Sequence, residues 1–113
     1  MRTVEGSIVL PADIAPTTAR TVLVEARDVS VMDAPSMVVA ETRLSDVPVA
    51  PGERIPFRLD VPEVDATRTL SVRAHVSLDG TPAITRGDAL SVTHIPLPAV
   101  GPVDGLDVPV RTV

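Results

Sequence analysis

Apolar and polar residues alternate with a period of two along most of this 113-residue chain, and prolines cut the alternation into short pieces. Only an extended strand puts every second side chain on one face. The clearest case is Ile55, Phe57, Leu59 and Val61, which alternate with Pro56, Arg58 and Asp60. Val4, Gly6, Ile8 and Leu10 share a face against Thr3, Glu5 and Ser7, and Val22, Val24 and Ala26 share one against Glu25 and Arg27. Val38, Ala40 and Leu44 face in where Glu41 and Arg43 face out. Leu70, Val72, Ala74, Val76 and Leu78 are opposed by Arg73, His75 and Ser77. The composition agrees: 20 valines and 11 threonines suit a pleated sheet, and 12 prolines are hard to fit into helices.

Turn chemistry separates the strands. Pro11 to Thr18 and Pro62 to Arg68 read as loops, and Met32-Asp33-Ala34-Pro35 as a turn. Pro51-Gly52 predicts a type II turn, and Asp79-Gly80 a tight type I′ hairpin, because Gly accepts positive φ without cost. A short strand follows at Ala83 to Thr85 and a longer one at Ala89 to Leu97. In the longer one the inward parity switches between Leu90 and Ile95, so a bulge is expected near Thr93-His94. The tail carries Leu106, Val108 and Val110. Pro56 and Pro109 cannot donate to a ladder and mark edge strands. The expectation is an all-β fold, a two-sheet antiparallel β-sandwich of seven to eight short strands, in a single domain over residues 1–113.

The same residues exclude several functions. There is no cysteine, hence no disulfide or thiolate chemistry. A net charge of −5, no lysine and one aromatic residue leave no footprint for nucleic acid. No apolar run reaches the roughly 18 to 20 residues of a membrane span. Met1-Arg2-Thr3-Val4-Glu5-Gly6 lacks the apolar region of a signal peptide, which reads as cytoplasmic for the chain as written. No catalytic residue, cofactor site or metal site is expected. His75 is expected on a solvated strand face, and neither His75 nor His94 comes with a nucleophile elbow or a zinc-binding pair.

Weaker features each allow two readings. Glu25/Arg27, Glu41/Arg43, Arg58/Asp60 and Arg73/His75 suit a cross-strand ladder of charges, or an anion site. Asp60, Glu63 and Asp65, and Asp104 with Asp107, are acidic loop clusters without calcium-loop spacing. Arg86-Gly87-Asp88 matches an adhesion tripeptide and equally ordinary turn chemistry. Val9, Leu23, Met37, Val39, Ile95 and Leu97 fall on nominally outward positions, either covered by loops or exposed to a partner.

The order of segments resembles a known family. Val24-Glu25-Ala26-Arg27-Asp28-Val29-Ser30-Val31-Met32-Asp33-Ala34-Pro35 resembles the LEDVSLADAP stretch of the YbaY-like/YscW lipoproteins. Val38-Val39-Ala40-Glu41 is similar to that family's VIAE, Ile55-Pro56-Phe57-Arg58-Leu59 to its IPFxL, and Arg73-Ala74-His75-Val76 to its RARI. The likeness covers residues 4 to 97. It implies a small β-sandwich without catalytic residues. Some relatives are pilotins, lipoproteins that escort a secretin of type III secretion to the outer membrane, and the family would place the chain in the cell envelope.

The leading expectation is therefore a non-catalytic protein-binding or chaperone-like module whose partner is a secretin or another envelope protein. Its partner surface would be Leu23, Met37, Val39, Ile95 and Leu97, or an edge strand at Glu53–Val61 or Leu106–Val110. The alternative is a small-ligand-binding or enzymatic β-domain using the outward Arg/Glu/His face. Self-association through edge strands is a third option.

Overall fold

In a computed structural model of the chain, which describes residues 1–31, 36–91, 93 and 95–113, the alternating segments become strands stacked in two sheets. The strands are β1 (Arg2–Val9), β2 (Thr17–Asp28), β3 (Met37–Val49), β4 (Arg54–Val61), β5 (Leu70–Ser77), β6 (Ala89–Leu90), β7 (Ile95–Leu97), β8 (Val103–Pro109) and β9 (Arg111–Thr112). One sheet has the order β4-β1-β8. The other runs β3-β2-β5-β6-β9, with β7 also beside β5. No helix occurs among the described residues, and the fold is all-β and mostly antiparallel.

The inward sets predicted from periodicity form the core. Val4 and Ile8 of β1, Val22, Val24 and Ala26 of β2, Ile55, Phe57, Leu59 and Val61 of β4, and Leu70, Val72, Ala74 and Val76 of β5 are all buried. Branched residues that lose little rotamer freedom on a pleated surface fill the space between the sheets. Phe57, the sole aromatic, needs more room. Its register partner on β1 is Gly6, and a Cβ added there would lie 2.9 Å from Phe57 Cζ and would also collide with the Leu106 carbonyl oxygen. The ring thus takes the space that a side chain on the middle strand would occupy.

The predicted edges are edges. β4, with Pro56, and β8, with Pro109, flank β1 on opposite sides. The Pro51-Gly52 turn is present, with Gly52 at φ 71° and the Glu53 N–H donating to the Ala50 carbonyl at 3.2 Å.

Four local expectations are corrected. First, β8 pairs β1 in parallel, not antiparallel, because residues 62–102 return the chain to the end of β1 from which it left. Second, a bulge at Val39 interrupts the β2–β3 ladder, so Arg27 pairs Val38 while Ala26 pairs Ala40. The extra residue reverses the parity: Val38 is exposed, and Val39 packs on the core.

Third, Ile95 and Leu97 point inward, since they pair with Val72 and Leu70 of the core face of β5. Four steps along β5, from Val76 to Val72, match six along the partner segment, from Ala89 to Ile95. The bulge expected at Thr93-His94 includes His94, which lies outside the described residues, as does the turn expected at Met32-Asp33-Ala34-Pro35. Fourth, Asp79-Gly80 is no type I′ hairpin: Gly80 has φ 80° but Asp79 has no positive φ, and Ala83–Thr85 forms no strand. A longer loop joins β5 to β6 for a reason given below.

Replacing Gly6 by Ala should lower stability by about 2 kcal/mol, since the crowding atoms are backbone and a ring held in the core. Urea unfolding of Gly6→Ala against the wild type checks this, and an unchanged midpoint would show that Phe57 is free to move aside.

Candidate functional site

The polar face of the six-stranded sheet was the place to look for chemistry. The register sets Glu25 of β2 opposite Glu41 of β3, so like charges meet across the strands. On its other side Glu25 stands opposite Arg73 of β5, yet the carboxylates of Glu25 and Glu41 turn to arginines two residues along their own strands. Glu25 accepts two bonds from Arg27 Nη1, at 3.0 and 3.1 Å, and Arg27 also donates to Ser36. Glu41 and Arg43 approach to 3.7 Å, Arg58 and Asp60 to 3.6 Å, both pairs in solvent, where they add little. At the expected positions the ion pairs therefore lie within strands, while Arg54 of β4 meets Asp107 of β8 across the other sheet at 2.6 Å.

Asp88 is fully buried, which also ends the adhesion reading of Arg86-Gly87-Asp88. Its Oδ1 accepts the Leu78 N–H at 3.0 Å, and its Oδ2 accepts the Thr85 N–H at 3.0 Å and lies 2.9 Å from His75 Nε2. This carboxylate organises the loop between β5 and β6 and displaces the tight hairpin expected there. His75 is correspondingly no solvated residue, with a side chain only 12% exposed. Burial pushes the Asp88 carboxyl up, but the bonds from Leu78, His75 and Thr85 outweigh it and hold the pKa below the usual carboxylate value.

Three other aspartates share one local pattern, Asp-x-Ser/Thr. Asp28 accepts from the Oγ and N–H of Ser30, Asp65 from the N–H and Oγ1 of Thr67, and Asp79 from the N–H and Oγ1 of Thr81. In each case these bonds lower the carboxyl pKa. They are turn-forming carboxylates. Among the described residues no three His, Asp or Glu converge as a metal-ligand set.

The hollow on this face, between Leu23, Arg43, His75 and Thr81, holds about 60 Å³, against roughly 300 Å³ or more for small-molecule sites. Nor do the five candidate partner residues form one surface. Leu23 is half-buried between Arg43 and His75, and Met37 is 70% exposed at the start of β3. Val39 and Ile95 pack on the core, and Leu97 lies within it.

Larger openings lie elsewhere, two of them along the seam where β3 of one sheet meets β4 of the other. A groove of about 420 Å³ is lined by Val47, Pro48, Val49, Ala50, Ile55 and Pro56, with Glu53 and Arg54 at its rim. A second hollow of about 470 Å³ continues it past Leu44, Gly6 and Phe57. Both strands are the last of their sheets. The residue reading named the β4 edge but missed Val47, Pro48 and Val49. The signal was the apolar run Val47-Pro48-Val49-Ala50-Pro51, longer than one buried face requires.

Residues 1–95 match the family described as type III secretion system lipoprotein chaperone (YscW). A solved structure with the same fold is that of an alternative pilotin from the type II secretion system of Vibrio cholerae. It is 22% identical, with a TM-score of 0.70 over 99% of this chain and 98% of that one. No curated protein matches.

Carboxylates whose pKa falls on folding stabilise the protein above the unfolded value and lose that contribution as pH falls through the folded one. Asp28, Asp65, Asp79 and Asp88 all shift this way. Stability should therefore decline steadily with acid below about pH 4. Asp88→Asn should cost about 2 kcal/mol at neutral pH, because an amide supplies one acceptor oxygen where three donors converge. Urea midpoints across pH for both proteins check this, and a variant as stable as the wild type would remove Asp88 from the loop's construction.

Proposed function

Because this chain belongs to the YscW family of type III secretion system lipoprotein chaperones, we propose that it acts as a non-catalytic holder for a segment of a secretin or another envelope protein. It works as one domain over residues 1–113, at the cell envelope. The observation that carries this reading is the apolar groove at the β3–β4 seam. A segment laid there removes its own apolar side chains and those of Val47 and Pro48 from water, worth about 25 cal/mol for each Å² covered.

The backbone of β4 offers less than its edge position suggests. The Leu10 N–H donates to the Glu53 carbonyl at 2.9 Å, so by alternation Ile55, Phe57 and Leu59 turn their backbone groups toward β1. Arg54, Pro56, Arg58 and Asp60 turn theirs to the open edge, where Pro56 breaks the row of donors. Capture therefore relies on side chains seated in the groove more than on a full added strand.

The test is capture of a purified secretin segment by the purified chain. Pro56→Asp places a charge on the exposed groove wall without removing a donor, and should weaken capture about tenfold or more. Leu23→Asp and Met37→Asp should leave it intact. Loss through Leu23 and Met37 with no effect at Pro56 would move the site to the outer face, and no capture by the wild-type chain would overturn the proposal.

A further inference from the structure

The free edge of β3 is built to pair with itself. Among the described residues β3 has β2 as its only ladder neighbour, although it is the longest strand. The other edges are blunted: β4 carries Pro56, β8 carries Pro109, and β9 has two residues. Between Ala40 and Ser45, β3 has no proline to interrupt its donors, and its two charged side chains, Glu41 and Arg43, are of opposite sign, so they do not repel every copy of the same edge. The Val39 bulge and Asp46, at φ 53°, bound this regular stretch.

Alternation shows which backbone groups are free. The Ser91 N–H donates to the Ala74 carbonyl at 3.0 Å, so Ala74 faces β6, and Arg73 and His75 face β2. Their partners Glu25 and Leu23 then face β5, which leaves Val22 and Val24 bonded to Leu44 and Thr42 of β3. Glu41, Arg43 and Ser45 turn their N–H and C=O groups to the open side.

We propose that two copies of this chain associate by antiparallel pairing of β3 with β3, centred on Thr42, so that Glu41 of each copy stands opposite Arg43 of the other. The charges choose the register. Centred on Glu41, the pairing would set two carboxylates face to face; centred on Arg43, two guanidinium groups. Only the register centred on Thr42 makes two opposite-charge pairs, related by the two-fold axis, from side chains that are exposed in the single chain. Leu44 of one copy then meets Ala40 of the other on the inner side. The groove at Val47 to Ala50 stays outside the paired run, while the hollow that continues it borders Thr42 and Leu44; the pairing itself does not depend on the capture reading.

Sedimentation velocity of the purified chain over a range of concentrations tests the pairing. The wild type should show a monomer–dimer equilibrium. Glu41→Arg and Arg43→Glu should each weaken it about tenfold, by turning attraction into repulsion at both symmetric positions. The double variant Glu41→Arg/Arg43→Glu should restore it. Arg43→Pro removes an edge donor without touching the β2 ladder and should abolish it, with circular dichroism confirming the fold. A wild type that stays monomeric overturns the proposal, and so does a dimer indifferent to the single reversals or not recovered in the double variant.

Discussion

Register is the constraint from which the rest of this molecule follows. Each long strand has one face of valine, isoleucine or leucine and one of arginine, glutamate, threonine or serine. A slip of one residue along the β2–β5 ladder would exchange Val22, Val24 and Ala26 for Leu23, Glu25 and Arg27 in the core. Taking Glu25 and Arg27 out of water, even as the ion pair they form on the outer face, carries a desolvation penalty that no turn offsets. With few large side chains and no disulfide to define the interior, this two-sided pattern is what selects a single pairing.

The pattern also explains what could be read from the chain alone. The inward sets of β1, β2, β4 and β5 repeat strictly, and their strand limits follow within a few residues. Pro56 and Pro109 located edges because a missing donor has one meaning in a ladder. What was hidden is non-local or irregular. The parallel placement of β8 on β1 joins segments about a hundred residues apart, and no local preference encodes it. The bulge at Val39 reverses parity without any turn residue to announce it. Asp88 reads as a polar turn residue until the loop closes over it and its three donors converge. The Asp-x-Ser/Thr triplets at Asp28, Asp65 and Asp79 stand in the sequence but went unread, and of the residues in the acidic clusters they account for Asp65 alone.

A holder of other proteins has little use for a reactive centre, and the side chains here are spent accordingly. Four aspartates build turns and loops, Arg27, Arg43 and Arg58 pair with carboxylates on their own strands, Arg54 and Arg68 pair with Asp107 and Asp28 across segments, and the one histidine seen in detail helps to hold a loop. What remains open to a partner is the line where the two sheets fail to close, between β3 and β4. The apolar run of residues 47–51 matters there because it extends beyond what the core itself covers.

The last strands carry a consequence for how the molecule comes together. β8 lies beside β1 in one sheet, and two residues after its end β9 pairs with β6 in the other, while the Val110 N–H donates to the Val9 carbonyl at 3.2 Å. The stretch from Val103 to Val113 is thus a clasp across both layers, and it follows in the chain every strand that it joins. Until it docks, β1 lacks one of its two neighbours and Ala89 lacks its partner Thr112, so closing the sandwich waits on pairings between segments far apart in the chain.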